Sequence, residues 1–493
     1  MRARTTWLAL ISALVLATSA AGCAGPERTA STAAAVPIVS SGHVSLDRPR
    51  TLDPLLDTLQ ERTFRWFWDT AQPETGLVPD RWPSRSFSSV AAVGFGLTAY
   101  PVGVARGWVG RAEAAARTRR TLAFLYDAPQ NDGPHATGTH GFFYNFLDME
   151  TGARFETVEL STVDTALLVA GALAAGQFFD GDAPDEVEVR RLAEALYARV
   201  EWTWAQPRPP LVALGWKPPG EPGGGFLPYD YGGYNETMLL YVLALGSPTH
   251  PIDAAAWPAY TATYTWGERY GQEHLGFAPL FGHQYSHTWI DFRGIRDAPM
   301  RAHGLDYAEN SRRATLAQRA YATDNPDGWR GYGPDVWGLT ASDGPLDTTI
   351  TVAGAPREVH TYWARGVAPG ETRDDGTLAP TAAASSVAFT PDESTAAVRA
   401  MRTRYGAGLW GTYGFFDAFN PTYDLPESRL QHGRMIAGLG WFDTDYLGID
   451  QGPIVLMIEN RRSELVWSLM RSHPAIRRGL TRAGFTGGWL DAP

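Results

Sequence analysis

About a dozen stretches of helical periodicity, parted by long loops rich in glycine, proline and aromatic residues, point this chain to an all-α design. From Leu52 the apolar residues Leu52, Leu55, Leu56, Leu59, Trp66 and Phe67 fall on one helical face. Further helices are predicted near 87–104, 110–126, 161–178, 186–203, 234–245, 254–268, 305–322, 391–404, 432–439, 452–462 and 463–472. In 186–203, Val189, Leu192, Ala193, Leu196 and Val200 recur at three and four residues, the spacing of a helix with one buried stripe. Strand signals are short, and 346–363, with "TTITV" and "REVHTYW", is the best hairpin. Helical hairpins closed into a ring, an (α/α) toroid with a minor β-hairpin, satisfy this layout. The loops 205–232, 270–304 and 323–390 exceed what simple connections need, and loops of that length usually carry function. No short internal repeat is visible, so a solenoid fits less well.

The first residues read as an address. "MRAR" supplies positive charge, "WLALISALVLATSA" an apolar core too short for a comfortable membrane span, and small residues follow. The run ends in "AAGC", which resembles the bacterial lipobox with Ala20 in place of its leucine. On that reading 1–22 is a signal peptide, Cys23 the lipid anchor, and 23–50 a flexible linker rich in Ala, Ser, Thr and Pro. The chain would then be exported and held at the bacterial cell membrane through that anchor alone; an ordinary secretory signal is the alternative. Cys23 is the single cysteine, which removes disulfides and cysteine-based metal sites. Residues 51–493 form one folded domain. Its net charge of −11 argues against nucleic acid, whose phosphates demand a basic face. An excess of aromatics, 18 Trp, 20 Tyr and 21 Phe, suits a surface that stacks on sugar rings.

Two groups of carboxylates stand where helices begin. "GARFETVELSTVDTALLVAGALAAG" holds Glu156, Glu159 and Asp164 against a strongly apolar run. Ser161 and Asp164 make a capping-box pattern, so Asp164 can serve the helix start alone; that account does not cover Glu159. "YDYGGYNETMLLYVLALG" places Glu236 just ahead of another apolar run. Either it sits in a first helical turn and gains from the helix dipole, or an apolar setting raises its pKa for work as a general acid. Glycoside hydrolysis needs two such carboxylates across a bond. In "FGHQYSHTWIDFRGIRD", His283 and His287 stand four apart, but no metal-ligand motif surrounds them, and polar lining of a sugar pocket is the better fit. Asp450 reads as a helix N-cap with Pro453 in the first turn.

Seven segments in order, "GFFYNFLDMETG", "ELSTVDTALLVAG", "YNETMLLYVLALGSPTHP", "HQYSHTWIDFRGIRD", "VWGLTASDGP", "GTYGFFDAFNP" and "YLGIDQGPIVLMIENRR", make the chain resemble the bacterial glycoamylase-like family from about residue 52 to 472. That family includes endo-β-1,2-glucanases and is similar to the glucan-processing domain of cyclic β-1,2-glucan synthases. The resemblance implies an (α/α)6 barrel over 51–493 and hydrolysis of a glucan with inversion, without metal or other cofactor. Glu236 falls on the family's general acid and Glu159 on the candidate base. The same motifs supply the expected sugar contacts: Tyr144, Asp164, Tyr234, His283, Gln284, Asp291, Arg293, Trp337, Asp343, Tyr413, Phe416, Asp417 and Asn420. Asp443 and Asp445 receive no role. The expected substrate is a β-1,2-linked glucan oligo- or polysaccharide, although the family name suggests starch. A polysaccharide lyase and a non-catalytic glycan-binding lipoprotein are the competing readings.

Overall fold

The computed structural model describes residues 50–491, so the signal segment, Cys23 and all of the linker but its last residue lie outside the described residues. Helices dominate. The longer ones are α1 (Pro54–Thr70), α2 (Val90–Ala105), α3 (Arg111–Asp127), α4 (Thr162–Phe178), α5 (Pro184–Ala198), α6 (Met238–Gly246), α7 (Tyr307–Asp324), α8 (Pro391–Tyr405), α9 (Gly448–Ser463), α10 (Leu465–Ser472) and α11 (Pro474–Arg482). They divide by composition. Every residue of α6 is buried, and α2 and α4 are buried along nearly their whole length. A helix apolar on all sides must lie inside the protein. By contrast α1, α3, α5, α7 and α8 bury one stripe and expose the rest. The packing follows: α2 lies against α4 and α9, α5 against α3 and α4, and α11 against α6.

Short strands stitch the ends of these helices together. A five-stranded antiparallel sheet runs through Gly138–Thr139, Phe142–Tyr144, Leu160–Ser161, Gly215–Lys217 and Gly225–Phe226. Further on, Arg81–Trp82 (β1) pairs antiparallel with Tyr446–Leu447 (β2), Arg81 opposite Leu447 and Trp82 opposite Tyr446. The hairpin expected in 346–363 is present as Thr348–Val352 with Ala355–Val359. No helix among the described residues is long and apolar enough to cross a membrane.

Three expectations fail locally. Residues 432–439 contain a strand, Arg434–Ile436, and no helix. A short apolar run fits either period, and pairing with Gly440–Phe442 decides it. Residues 254–268 form only a six-residue helix, Ala256–Thr261, before a strand begins at Trp266. Asp450 is not an N-cap: β2 runs straight into α9, Leu447 is the cap residue, and Asp450 and Pro453 lie inside the helix.

Candidate active site

The strand that precedes α4 builds one wall. Leu160–Ser161 is paired on both sides, to Phe143–Tyr144 and to Gly215–Trp216, so the chain enters α4 at a fixed point. Ser161 Oγ accepts from Asp164 N at 3.2 Å, the expected cap. Thr165 Oγ1 donates to Ser161 O at 2.7 Å and accepts from Phe143 N at 3.0 Å, tying helix to sheet. Glu159, one residue ahead of this sheet strand, is 7% exposed, and its carbonyl accepts from Asn145 N.

Glu236 is presented differently. It lies in the turn before Thr237, the cap residue of α6, and so stands outside the first helical turn. Asn235 Oδ1 accepts from Thr237 N at 2.9 Å, and Ser286 Oγ donates to the Glu236 carbonyl at 2.6 Å while accepting from Leu239 N at 3.0 Å. Bonds to the backbone thus hold the residue and leave its carboxyl without a side-chain partner.

Glu159, Asp164 and Glu236 line a single cavity of about 130 Å³, together with Asp80, Arg81, Asn145, Tyr285 and Tyr362. Asp164 and Glu236 are half-buried: protein encloses them, yet both touch the space a substrate would fill. Desolvation, with the nearby Asp164 charge adding to it, pushes Glu236 up to about 7. Desolvation pushes Asp164 up to about 6, against the bond from Ser161 and with help from Glu159 and Asp80. Near neutral pH the Glu236 carboxyl is therefore partly protonated.

An acidic wall adjoins the cavity through Arg81. Its Nη1 donates to Asp343 Oδ2 at 2.6 Å, and its guanidinium lies 3.4 Å from Asp80 and 3.9 Å from Asp445. Asp417 Oδ2 accepts from Asp343 N at 2.8 Å. Asp417 and Asp450 face each other closely enough to share a proton, and burial pushes both up. Asp443, pushed up likewise by burial and then by Asp343 and Asp417, accepts backbone N–H groups of Thr444 and Asp445. Asp343, Asp417 and Asp443 offer carboxylate oxygens within 4.8 Å of one another, the donor type a hard cation takes.

The remaining expected sugar contacts divide by what they touch. Tyr413 and Phe416 pack on Tyr446, ring centroids 5.5 and 4.8 Å apart. Several others do not line the cavity and are occupied elsewhere. Gln284 Nε2 bonds Ala382 O and Ser386 Oγ in the interior. His283 bonds Phe277 O and His287 bonds Ser311 Oγ; burial pushes each imidazole down to about 3, so the pair is structural. Asp291 and Arg293 pair with each other at 2.7 Å and join Arg471 and Glu464. Asn420 Nδ2 holds Asp375 O and Thr377 Oγ1. Trp337 is wholly buried core. Tyr144 lies under the Arg154 guanidinium at 4.6 Å, and Tyr234 stacks on Tyr307. These residues make the motifs recognisable by building the frame. Conversely Asp80, Arg81, Asn145, Tyr285 and Tyr362 line the cavity without having been singled out. In the sequence "PDRWP" carries no signal beyond turn chemistry, since β1 reaches the cavity only by pairing with β2.

The Glycoamylase family model, described as "Putative glucoamylase", matches residues 228–474. A curated relative from Parabacteroides distasonis, an exo β-1,2-glucooligosaccharide sophorohydrolase (non-reducing end), is 31% identical over 470 residues, 88% of this chain; the chain spans 58% of that relative's length. Among solved structures, an endo-β-1,2-glucanase from Chitinophaga pinensis, complexed with sophorotriose and glucose, is 29% identical with a TM-score of 0.74, covering 89% of this chain and all of that one. A Bacteroides uniformis structure described as "putative glucoamylase" is 33% identical with a TM-score of 0.75, covering 90% of this chain and all of that one. The chain belongs to the glycoamylase-like family, alongside enzymes that act on β-1,2-glucans.

Proposed function

We propose that this protein is an exported glycoside hydrolase that cleaves β-1,2-linked glucan by an inverting, two-carboxylate mechanism on an (α/α)6 barrel. The observation that carries the reading is Glu236: a carboxyl pushed up to about 7, free of side-chain partners, in the same cavity as Glu159. Glu236 protonates the leaving glycosidic oxygen, and Glu159 takes the proton of the water that attacks the anomeric carbon from the other face. Inversion asks for carboxyls roughly 6.5–9.5 Å apart, leaving space for that water. Asp164 keeps the proton on Glu236 until the oxygen accepts it. Arg81, Asn145, Tyr285 and Tyr362 offer donors to sugar hydroxyls, and the acids bonded to Arg81 keep its guanidinium in place. Inner helices buried all round and outer helices with one buried stripe support the barrel. The β-1,2 linkage rests on the relatives that act on such glucans. The first residues support export, with Cys23 as lipid anchor and 23–50 as tether to a catalytic domain over 51–493.

Glu236→Gln tests the reading. It keeps the shape of the side chain, so the variant folds as the parent does and loses about three or more decades of kcat on β-1,2-glucan. Near-native turnover by a well-folded variant contradicts the assignment. Product analysis by chromatography and by the anomeric configuration of the released sugar separates exo from endo action and inversion from retention.

A further inference from the structure

Of the described tryptophans, Trp82 alone is exposed, with 43% of its surface in water. An indole left in solvent forgoes the burial that its large apolar face would otherwise gain, and an exposed aromatic patch usually marks a contact. Its position specifies which. In a two-residue ladder the side chains of paired residues share a face and neighbours alternate. Arg81 and Leu447, one pair of β1–β2, both line the active-site cavity. Trp82 and Tyr446, the other pair, therefore lie on the opposite face of the same ribbon.

That face continues as an aromatic surface. Tyr446 packs against Tyr413 and Phe416, both partly exposed. Its hydroxyl accepts from Tyr413 N at 3.2 Å, which fixes the turn carrying Tyr413. The seating is close: a Cβ on Gly411 would meet Tyr446 Oη at 2.3 Å and Phe416 Cζ at 2.8 Å. Rings held this rigidly lose little freedom on binding.

We propose that Trp82, together with the Tyr413 and Phe416 rings that pack on its ladder partner Tyr446, is a stacking platform for glucose units of the glucan chain that lie outside the cleavage cavity. The proposal rests on the glucan-hydrolase reading above. A neutral, extended sugar chain suits a ribbon whose cavity face is acidic, because hydroxyls bond the carboxylates and pyranose faces cover the rings. The chain would pass over the edge of this two-residue ribbon, from the cavity on one face to the rings on the other.

The test uses β-1,2-linked gluco-oligosaccharides of graded length, titrated calorimetrically into Glu236→Gln and Glu236→Gln/Trp82→Ala. Long oligosaccharides should bind the double variant roughly tenfold more weakly, the shortest should bind both equally, and Trp82→Phe should recover most of the loss. Equal binding at every length, or a loss equal at every length, overturns the platform while leaving the hydrolase reading intact. A dimer of the parent that Trp82→Ala converts to monomer also overturns it, since a second copy would then be the occupant. If Glu236→Gln binds no β-1,2-glucan at all, the substrate reading fails first and the platform with it.

Discussion

At the scale of single residues, chemistry turns on what each carboxyl touches. Glu236 and Asp450 both precede or begin apolar helices, yet Glu236 faces the cavity while Asp450 shares burial with Asp417. Asp164 raises Glu236 by its charge, after desolvation, so removing that charge must lower the Glu236 pKa. In Asp164→Asn the basic limb of the kcat/KM profile, set at about pH 7 by Glu236, should move to lower pH. The Ser161 cap is unaffected because it uses the Asp164 backbone N–H. A basic limb at the parent position would contradict the coupling. Asp164 could be recognised in the sequence as a cap residue, and the structure adds a second role to the same side chain.

At the scale of elements, α2 and α4 meet backbone to backbone. A Cβ on Gly171 would sit 2.0 Å from Gly94 O, and one on Gly94 would sit 2.3 Å from Leu167 O. Ala gains about 1 kcal/mol over Gly in a helix interior. Here that gain loses to the clash, because the obstructing atoms are backbone of a buried helix and cannot swing away. Gly171→Ala should cost about 1–3 kcal/mol, read as a lower urea midpoint. Gly176→Ala, whose Cβ would meet Ala193 Cβ at 3.1 Å and Arg190 Cα only at 3.9 Å, should cost less. Equal midpoints for the two variants would contradict this packing. The crossing also sets function, since α4 begins at the strand leading from Glu159.

At the scale of the whole molecule, the long loop 323–390 is tied down by a buried ion pair. Arg365 is wholly buried and binds Asp375 through two bonds, at 2.6 and 2.8 Å, and Ser342 O at 2.8 Å. Asp375 also accepts from the N–H groups of His360 and Thr377 at 3.0 Å. Burial acts to raise Asp375, but the Arg365 charge and these bonds hold it below the usual carboxylate range. Arg365→Met leaves that charge without its partner and should destabilise by about 3–5 kcal/mol. Arg365→Met/Asp375→Leu should recover much of the loss, and urea midpoints of the two variants check this. Activity should fall with the single variant, because Arg365 braces the strand end at Ser342 beside Asp343.

The sequence by itself pointed to most of the helices, the hairpin within 346–363 and the segments ahead of two buried helices that carry Glu159 and Glu236. Periodicity and capping are local, so neighbouring residues suffice to read them. It also pointed to the family through seven motifs in order, several of whose residues build the frame. Gln284, Asn420 and the Asp291–Arg293 pair show the limit of that signal: a motif can be recognisable for its packing and still stand away from the cavity. Only the tertiary structure decided which residues share a surface. Arg81 enters the cavity, and Trp82 faces away from it, because β1 pairs with a strand at the far end of the chain. Glu236 is pushed up to about 7 by burial among elements distant in sequence. Solvent exclusion and long-range pairing are properties of the assembled chain, and no local pattern contains them.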